Sequence, residues 1–262
     1  MKSHKRKRKP ESYSKRDYRQ LVSQAGLVST QIRIEETDLH ILAEQGVAEQ
    51  ATDLVLQYRA QLEGYIVKYP QFCATLDPLP QDKTAPPLVR DMLIAGIQAG
   101  VGPMAAVAGG IAEYVGRGLM AQGFTEIMVE NGGDIFLQRS SACSVAIFAG
   151  ESPLSYKVGV RVSPAQMPLG ICTSSGTVGH SLSLGEADSV TVLARSTLLA
   201  DAAATRLGNE VGQAKGGKAG VARALDTAKE IPGIIGVVVI CGELMGATGD
   251  VELVKIDLQS IQ

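Results

Sequence analysis

The chain lacks tryptophan, and aromatic residues make up only 4% of its 262 residues. Bulky rings are therefore scarce in the core, and the 29 glycines predict helices that pack at close range. The four cysteines show no CxxC or zinc spacing, which predicts free thiols in a reducing compartment. The three histidines are too few for a histidine-rich metal centre.

Sequence signatures of several large enzyme classes are also missing. There is no GxxxxGK[ST], HExxH or GxSxG motif. The glycines of "GVGPMAAVAGG" do not follow a predicted strand, so they do not support a dinucleotide-binding turn. The sequence therefore gives no indication of a P-loop NTPase, a zincin or a serine hydrolase.

One uncharged run could be mistaken for a membrane span. Met92–Ala112 is long enough to cross a bilayer. It contains five glycines and a Gly102–Pro103 break, however, and proline is favoured at the first position of a helix. We therefore expect two buried helices that meet at Pro103 and no membrane span.

Basic charge is concentrated at the start of the sequence. Residues 1–19 contain nine of the 25 basic residues and only two of the 27 acidic ones, so the remainder of the chain is acidic. We expect residues 1–20 to form a basic flexible tail, which either keeps the protein soluble or contacts nucleic acid or anionic lipid. The acidic remainder argues against a nucleic-acid-binding domain. Residues 10–31 are polar rather than signal-like, which predicts a cytoplasmic protein.

Hydrophobic periodicity predicts an α+β fold with largely antiparallel sheets and packed helices. Alternating residues in "IRIEETDLHILAE" predict a hairpin, and residues 47–68 have helical spacing. We expect residues 21–262 to form a single domain, built as one body or as two lobes. The later predicted elements are strands either side of Asn131–Asp134, in "CSVAIFAG", in "YKVGVRVS" and at Ser189–Ala194, Ile234–Cys241 and Val251–Ile256, and helices at Leu199–Leu207 and Gly220–Lys229.

Three short segments contain the residues most suited to chemistry. "VENGGDIFL" is typical of a tight hairpin turn, which explains Gly132 and Gly133 without a role for Asn131 or Asp134. "GICTSSGTVGHSLSLGEADSV" is rich in glycine and hydroxyl residues. Its Thr173–Gly176 backbone could form an anion-binding nest, or the whole stretch could be a solvent loop.

The third segment is "LLADAAATRLGN". Asp201 and Thr205 are four residues apart, so a helix places their oxygens on one face. A carboxylate and a hydroxyl suit a hard cation such as Mg²⁺. Alternatively, Asp201 caps its own helix.

The ordered set of segments resembles the ApbE-like flavin-transferase family. The matching segments are "GGIAEYVGRGLMAQGFTEIMVENGGD", "GICTSSG", "DSVTVLA" and "ADAAATRLGN", from Ala108 to Asn209. The resemblance implies a two-lobed, T-fold-like α+β architecture with a flavin nucleotide, FAD or FMN, in the groove and Mg²⁺ at its diphosphate. It implies metal ligation by Asp201, Thr205 and a backbone carbonyl near Cys172. It also implies a diphosphate cradle and a flavin site, formed respectively by Thr173, Ser174, Ser175 and Gly176 and by Asn131, Gly132, Gly133 and Asp134.

The chain departs from this family at two places, which indicates a divergent branch. Glu113 stands where the family has lysine, and the family's D-P-x-T-G segment is absent, which leaves His180 as the candidate catalytic base. Characterised relatives transfer FMN from FAD to a serine or threonine of a protein acceptor. The sequence leaves two hypotheses open, a Mg²⁺-dependent flavin-nucleotide protein that acts as such a transferase, and a non-catalytic module that binds a ligand or partner.

Overall fold

The computed structural model describes residues 26–176, 187–214 and 216–257. The predicted basic tail and His180 lie outside these residues, as does the predicted loop beyond Gly176. The helices are α1 (Ala48–Lys68), α2 (Gln71–Ala74), α3 (Pro87–Ala99), α4 (Val107–Ala121), α5 (Thr197–Gln213) and α6 (Gly217–Ala228). The strands are β1 (Val28–Ile34), β2 (Thr37–Ala43), β3 (Ile127–Asn131), β4 (Asp134–Gln138), β5 (Cys143–Ala146), β6 (Val158–Val162), β7 (Leu169–Ser174), β8 (Ser189–Ala194), β9 (Ile234–Cys241), β10 (Leu244–Gly249) and β11 (Glu252–Lys255).

Eight of the described strands form one antiparallel sheet in the order β1-β2-β3-β4-β7-β8-β9-β10. Helices α1 to α4 are inserted between β2 and β3, and helices α5 and α6 between β8 and β9. A small second sheet has the order β11-β6-β5. The predicted α+β class with antiparallel sheets is confirmed. The division of residues 21–262 into one body or two lobes stays a prediction.

The large sheet has a hydrophobic core on each face. One face packs against the helices, with Phe136 and Val192 of the sheet beside residues such as Leu88 and Ala203 of the helices. The other face packs against the small sheet, as Val160 does with Leu137 and its neighbours. Side chains of successive residues on a strand point to opposite faces, so the same alternation decides which polar residues face the helices.

The uncharged run forms two helices that meet at Pro103, as predicted. Helix α3 ends at Ala99, and a 3₁₀ turn that begins with Pro103 leads into α4. Among the described residues, no single helix is long and apolar enough to span a bilayer. The pair formed by α3 and the helical segment Pro103–Ala121 passes that test only jointly, with a bend of 106° between them.

Two strands correct the sequence-based prediction. The prediction placed Gly170–Ser174 in a glycine-rich loop, but these residues belong to β7, which pairs with β4 on one side and β8 on the other. Pairing on both sides satisfies the backbone and buries the strand, which outweighs the low strand propensity of glycine and serine. The sequence predicts no element at Leu244–Gly249, yet these residues form β10, which pairs with β9.

Helix α5 begins earlier than predicted. Its first residue is Thr197, and the Ser196 hydroxyl accepts a hydrogen bond from the Leu199 N–H. Ser196 is therefore the N-cap. The alternative in which Asp201 caps its own helix is wrong, since Asp201 lies in the second turn.

Candidate functional site

The "NGGD" segment forms a two-residue hairpin turn between β3 and β4. Asn131 pairs directly with Asp134, and both intervening glycines have positive φ, 70° at Gly132 and 109° at Gly133. This backbone shape favours glycine at both positions. Glu130 stabilises the turn, because its Oε1 accepts a hydrogen bond of 2.9 Å from the Gly133 N–H. The predicted turn is confirmed.

The two polar residues that flank this turn are both buried on the helix-facing side of the sheet. Asn131 is 8% exposed and Asp134 is 7% exposed. The Asn131 Nδ2 donates a hydrogen bond of 3.1 Å to the Ala108 carbonyl, next to the start of α4. Asp134 lies opposite Cys172 in the β4–β7 ladder and accepts a hydrogen bond from its thiol. The turn therefore places a carboxylate in the interior.

The environment of Asp134 favours its protonated form. Burial of the carboxyl, together with the nearby charge of Glu130, raises its pKa to about 7. Hydrogen bonds from the Cys172 thiol and the Thr173 N–H oppose this effect but do not cancel it.

Asp201 approaches the same place from α5. Its Oδ2 accepts a hydrogen bond of 2.8 Å from the Gly109 N–H, and the Ala108 N–H donates to the same carboxylate. Burial raises the pKa of Asp201 well above its ordinary value, and the neighbouring Asp134 charge raises it further. The structure thus brings the "NGGD" and "ADAAAT" segments together, although Asp134 and Asp201 are 67 positions apart.

Gly109 allows this approach. A Cβ atom at Gly109 would lie 2.5 Å from the Thr197 carbonyl oxygen and 2.8 Å from the Asp201 Cβ, both too close. Helices α4 and α5 therefore cross where α4 has no side chain. The N–H groups of its first turn, which have no partners within the helix, meet the Asp201 carboxylate there.

Asp134, Cys172 and Asp201 form one electrostatic group, called here the carboxylate site. Burial raises the pKa of the Cys172 thiol, and the charges of Asp134 and Asp201 raise it further. Among the described residues, the two carboxylates are hydrogen-bonded by amides and a thiol, and no lysine or arginine contributes to their pKa shifts. Asp134 is buried and Asp201 is half-buried. Neighbouring like charges without a counter-ion repel each other, so the site favours a proton or an added cation.

The other predicted site residues within the described ranges lie on α5 and at or just after the end of β7. Thr205 is half-buried one turn after Asp201 on α5. Thr173 and Ser174 end β7 directly after Cys172, and Ser175 and Gly176 follow. The Gly176 N–H already donates to the Ala187 carbonyl, and the Thr173 N–H donates to Asp134. The Thr173 and Gly176 amides of the predicted nest are therefore occupied within the protein, and Ser174 pairs with Val190 in the β7–β8 ladder.

Sequence reasoning missed the contribution of α4. Nothing in the composition of "VAGGIAE" marks Ala108 and Gly109 as hydrogen-bond donors to Asp201, because that role depends on a contact between distant helices. From the sequence alone, Glu113 is only a departure from a family pattern. In the structure it is 3% exposed and its Oε2 accepts hydrogen bonds at the start of α5. A small-residue pair one turn before a glutamate is the one signal available in the sequence.

Comparison with known proteins assigns the chain to a family. A family model described as "AbpE bacteria" matches residues 19–253. The chain belongs to the AbpE bacteria family. Relatives of the chain include a UPF0280 protein of Methanocaldococcus jannaschii, which is 41% identical over 86% of this chain and 93% of the relative. A UPF0280 protein of Methanococcus aeolicus is 38% identical over 88% of this chain and 94% of its own.

Solved structures show the same fold. The ApbE protein of Thermotoga maritima has a TM-score of 0.53 at 9% identity, over 85% of this chain and 97% of that one. The apo flavinyl transferase ApbE of Pseudomonas stutzeri has a TM-score of 0.50 at 14% identity, over 89% and 95% of the two chains. The chain therefore has the fold of these two ApbE structures.

Proposed function

We propose that this protein binds a flavin nucleotide, FAD or FMN, together with Mg²⁺ at the carboxylate site. The observation that carries the proposal is the pair of converging carboxylates, Asp134 and Asp201, whose hydrogen-bond partners among the described residues are amides and a thiol. A divalent cation would relieve their repulsion and would attract the diphosphate of a nucleotide. The ApbE-like fold supports a flavin as the nucleotide, because one structure that shares it is named a flavinyl transferase.

The donor set suits Mg²⁺ better than a softer metal. No group of three or more His, Cys, Asp or Glu side chains in the described ranges has the arrangement of a metal site. A cation there would therefore rely on one or two carboxylates plus hydroxyl, backbone and phosphate oxygens, which is the usual coordination of Mg²⁺. Asp201, Thr205 and a carbonyl near Cys172 are the proposed ligands.

The surrounding segments would bind the nucleotide. We expect Thr173–Gly176 to contact the diphosphate, chiefly through the hydroxyl groups of this segment. We expect the Asn131–Asp134 turn to line the flavin. When bound, Mg²⁺ would offset the charge that develops on the diphosphate during phosphoryl transfer.

Transfer of FMN from FAD to a protein acceptor is the catalytic form of this proposal. The acceptor hydroxyl would attack the phosphorus of the FMN half, the bond to AMP would break, and His180 would accept the hydroxyl proton. A non-catalytic ligand- or partner-binding module is the alternative, and the absence of the D-P-x-T-G segment favours it.

One experiment separates these outcomes. The protein is incubated with FAD and Mg²⁺, bound flavin is followed by fluorescence anisotropy, and free AMP is measured by chromatography. The absence of tryptophan removes energy transfer from indole to flavin as a complication. Binding that EDTA abolishes supports the flavin–Mg²⁺ proposal, and sustained AMP release in the presence of an acceptor supports transfer. Flavin binding that is absent, or unchanged by EDTA, contradicts the proposal.

A further inference from the structure

Glu113 lies in the interior of α4 and contacts the start of α5. Its Oε2 accepts hydrogen bonds from the Thr197 N–H and, at 3.4 Å, from the Leu198 N–H and the Ser196 hydroxyl. Its Oε1 forms an ion pair with Arg117. The Thr197 and Leu198 amides are the first two of α5 and have no partner within the helix. A carboxylate at this end of a helix is also favoured by the helix dipole.

Asp201 of α5 makes the corresponding contact in the other direction. Its carboxylate accepts hydrogen bonds from the Ala108 and Gly109 amides, in the first turn of α4. Glu113 lies four residues after Gly109, and Asp201 lies four residues after Thr197, so each contact is one turn from the helix crossing. The first turn of each helix is therefore bonded to a carboxylate of the other.

We propose that Glu113 is a positioning residue for Asp201. By bonding the first turn of α5 it fixes where the second turn of that helix, and hence the Asp201 carboxylate, lies relative to Asp134 and α4. Movement of α5 along α4 would lengthen the Asp201–Gly109 hydrogen bond and shift the proposed cation ligand. The part of this inference that concerns cation affinity rests on the proposed function, and the part that concerns helix position does not.

The chemistry of the contact explains how glutamate suits position 113 of this chain, where the ApbE-like pattern has lysine. An ammonium group at position 113 would meet two N–H donors and the positive end of the α5 dipole, and only the Ser196 hydroxyl among these neighbours could accept from it. Lysine therefore could not bond the two amides. Glu113→Lys, although it restores the family residue, should be the most damaging change at this position.

The test compares Glu113→Gln and Glu113→Lys with Glu210→Gln. Glu210 is a matched control because it is also a 3% exposed glutamate paired with arginine, but it links α5 to α6 and does not contact the start of α5. Two readouts are used, amide hydrogen exchange by NMR at Ala108, Gly109, Thr197 and Leu198, and affinity for Mn²⁺ alone, from EPR of the free ion. We expect Glu113→Gln to speed exchange at all four amides and to weaken Mn²⁺ binding roughly tenfold, and Glu113→Lys to have a larger effect.

Glu210→Gln should lower the melting temperature without changing either readout. The inference is overturned if Glu113→Gln speeds exchange at Thr197 and Leu198 alone and leaves Ala108, Gly109 and Mn²⁺ affinity unchanged. If the wild-type protein binds no Mn²⁺, the proposed function fails, and exchange at Ala108 and Gly109 still decides the role of Glu113. Should Glu113→Gln not fold, Arg117→Gln removes the exposed partner and should change exchange in the same direction by a smaller factor; no change at Ala108 and Gly109 would then contradict the inference.

Discussion

Two acidic residues nine positions apart on α5, the half-buried Asp201 and the buried Glu210, have opposite environments. Glu210 receives hydrogen bonds from Arg206 and Arg223. Burial acts to raise its pKa, but these arginines outweigh burial and the pKa is lowered. Asp201 is bonded by the Gly109 and Ala108 amides and lies near the Asp134 carboxylate, so its pKa is raised. The chain neutralises the first acid with its own cations and, within the described residues, leaves the second without one.

This difference distinguishes a structural acid from a candidate ligand. A buried ion pair whose partners are both supplied by the chain needs nothing from outside. A pair of neighbouring carboxylates, one buried and one half-buried, that is bonded by amides and a thiol is completed by a proton or a cation. The same helix thus combines an ion-paired contact with α6 and a group that is suited to binding.

The largest expected effect is that of Asp201→Ala on binding. Removal of the carboxylate should weaken Mg²⁺-dependent nucleotide binding by about 100-fold or more, because it removes both a proposed ligand and half of the charge that attracts the cation. The free energy of unfolding should fall by only about 1–2 kcal/mol, the cost of a lost helix cap, here the cap of α4. Calorimetric titration and thermal unfolding measure the two quantities. Loss of stability with unchanged binding would show that Asp201 is only a cap.

Glu210→Gln should produce the opposite pattern. Loss of the charge leaves Arg206 and Arg223 without their carboxylate and should lower the free energy of unfolding by about 1–3 kcal/mol. Nucleotide and cation affinity should stay within about twofold of wild type, since the change lies more than two turns from Asp201. Chemical denaturation and the same titrations provide the measurement. A large loss of affinity would mean that the two acids are not independent.

The pH dependence of stability should differ between wild type and Asp134→Asn in EDTA. The folded pKa of Asp134 is raised, so between about pH 4, the unfolded value, and pH 7 the folded state binds more protons. Its contribution to stability is therefore present below pH 4 and is lost as the pH rises toward 7, by up to about 1.4 kcal/mol per pH unit. Asp201, whose pKa is raised in part by the Asp134 charge, shares the effect.

Thermal unfolding at pH 5 and pH 7.5 measures this slope. Asp134→Asn replaces the carboxyl with a neutral group of similar size, so its slope in this range should be smaller than that of wild type. Addition of Mg²⁺ at pH 7.5 should stabilise wild type more than the variant, because only wild type has both carboxylates. Equal slopes for the two proteins would show that the extra proton of the folded state binds to a group other than Asp134.

The smallest expected effect is that of Thr205→Val. This change replaces a hydroxyl with a methyl group of nearly the same size, and we expect cation affinity to fall about tenfold while stability changes by less than about 1 kcal/mol. Thr205→Ser keeps the hydroxyl and serves as the control, with affinity near wild type. Mn²⁺ titration of the three proteins is sufficient. Equal affinities for valine and serine would remove Thr205 from the ligand set.

Much of the fold could be predicted because the local signals were strong. The hairpin β1–β2, the long helix α1, the helix pair at Pro103 and the strand Ser189–Ala194 all follow from periodicity and from the positions of proline and glycine. Strands β7 and β10 could not be predicted in this way. Their glycine, serine and threonine residues have weak local preferences, and pairing with neighbouring strands decides their conformation.

For the candidate site, the sequence indicates residues suited to chemistry but does not show which of them are in contact. Asp201 and Asp134 were both singled out, but the sequence could not show whether the Asp134 side chain points to solvent or to the core, since that depends on which face of β4 the helices cover. The roles of Glu113 and Gly109 depend on the crossing of α4 and α5. No local pattern specifies such a crossing, because the two residues and their partners are more than 80 positions apart.

The order of the large sheet has a consequence for where chemistry can arise in this protein. The large sheet contains two units with the same order of elements along the chain, two strands, then helices, then two strands. The first unit has β1 and β2 before its helices and β3 and β4 after them. The second unit has β7 and β8 before its helices and β9 and β10 after them. The two units join at the β4–β7 ladder, where Asp134 lies opposite Cys172. Gly109 and Asp134 belong to the first unit, and Cys172 and Asp201 to the second. Neither unit contains all the residues of the carboxylate site, so the site forms only where the two units join.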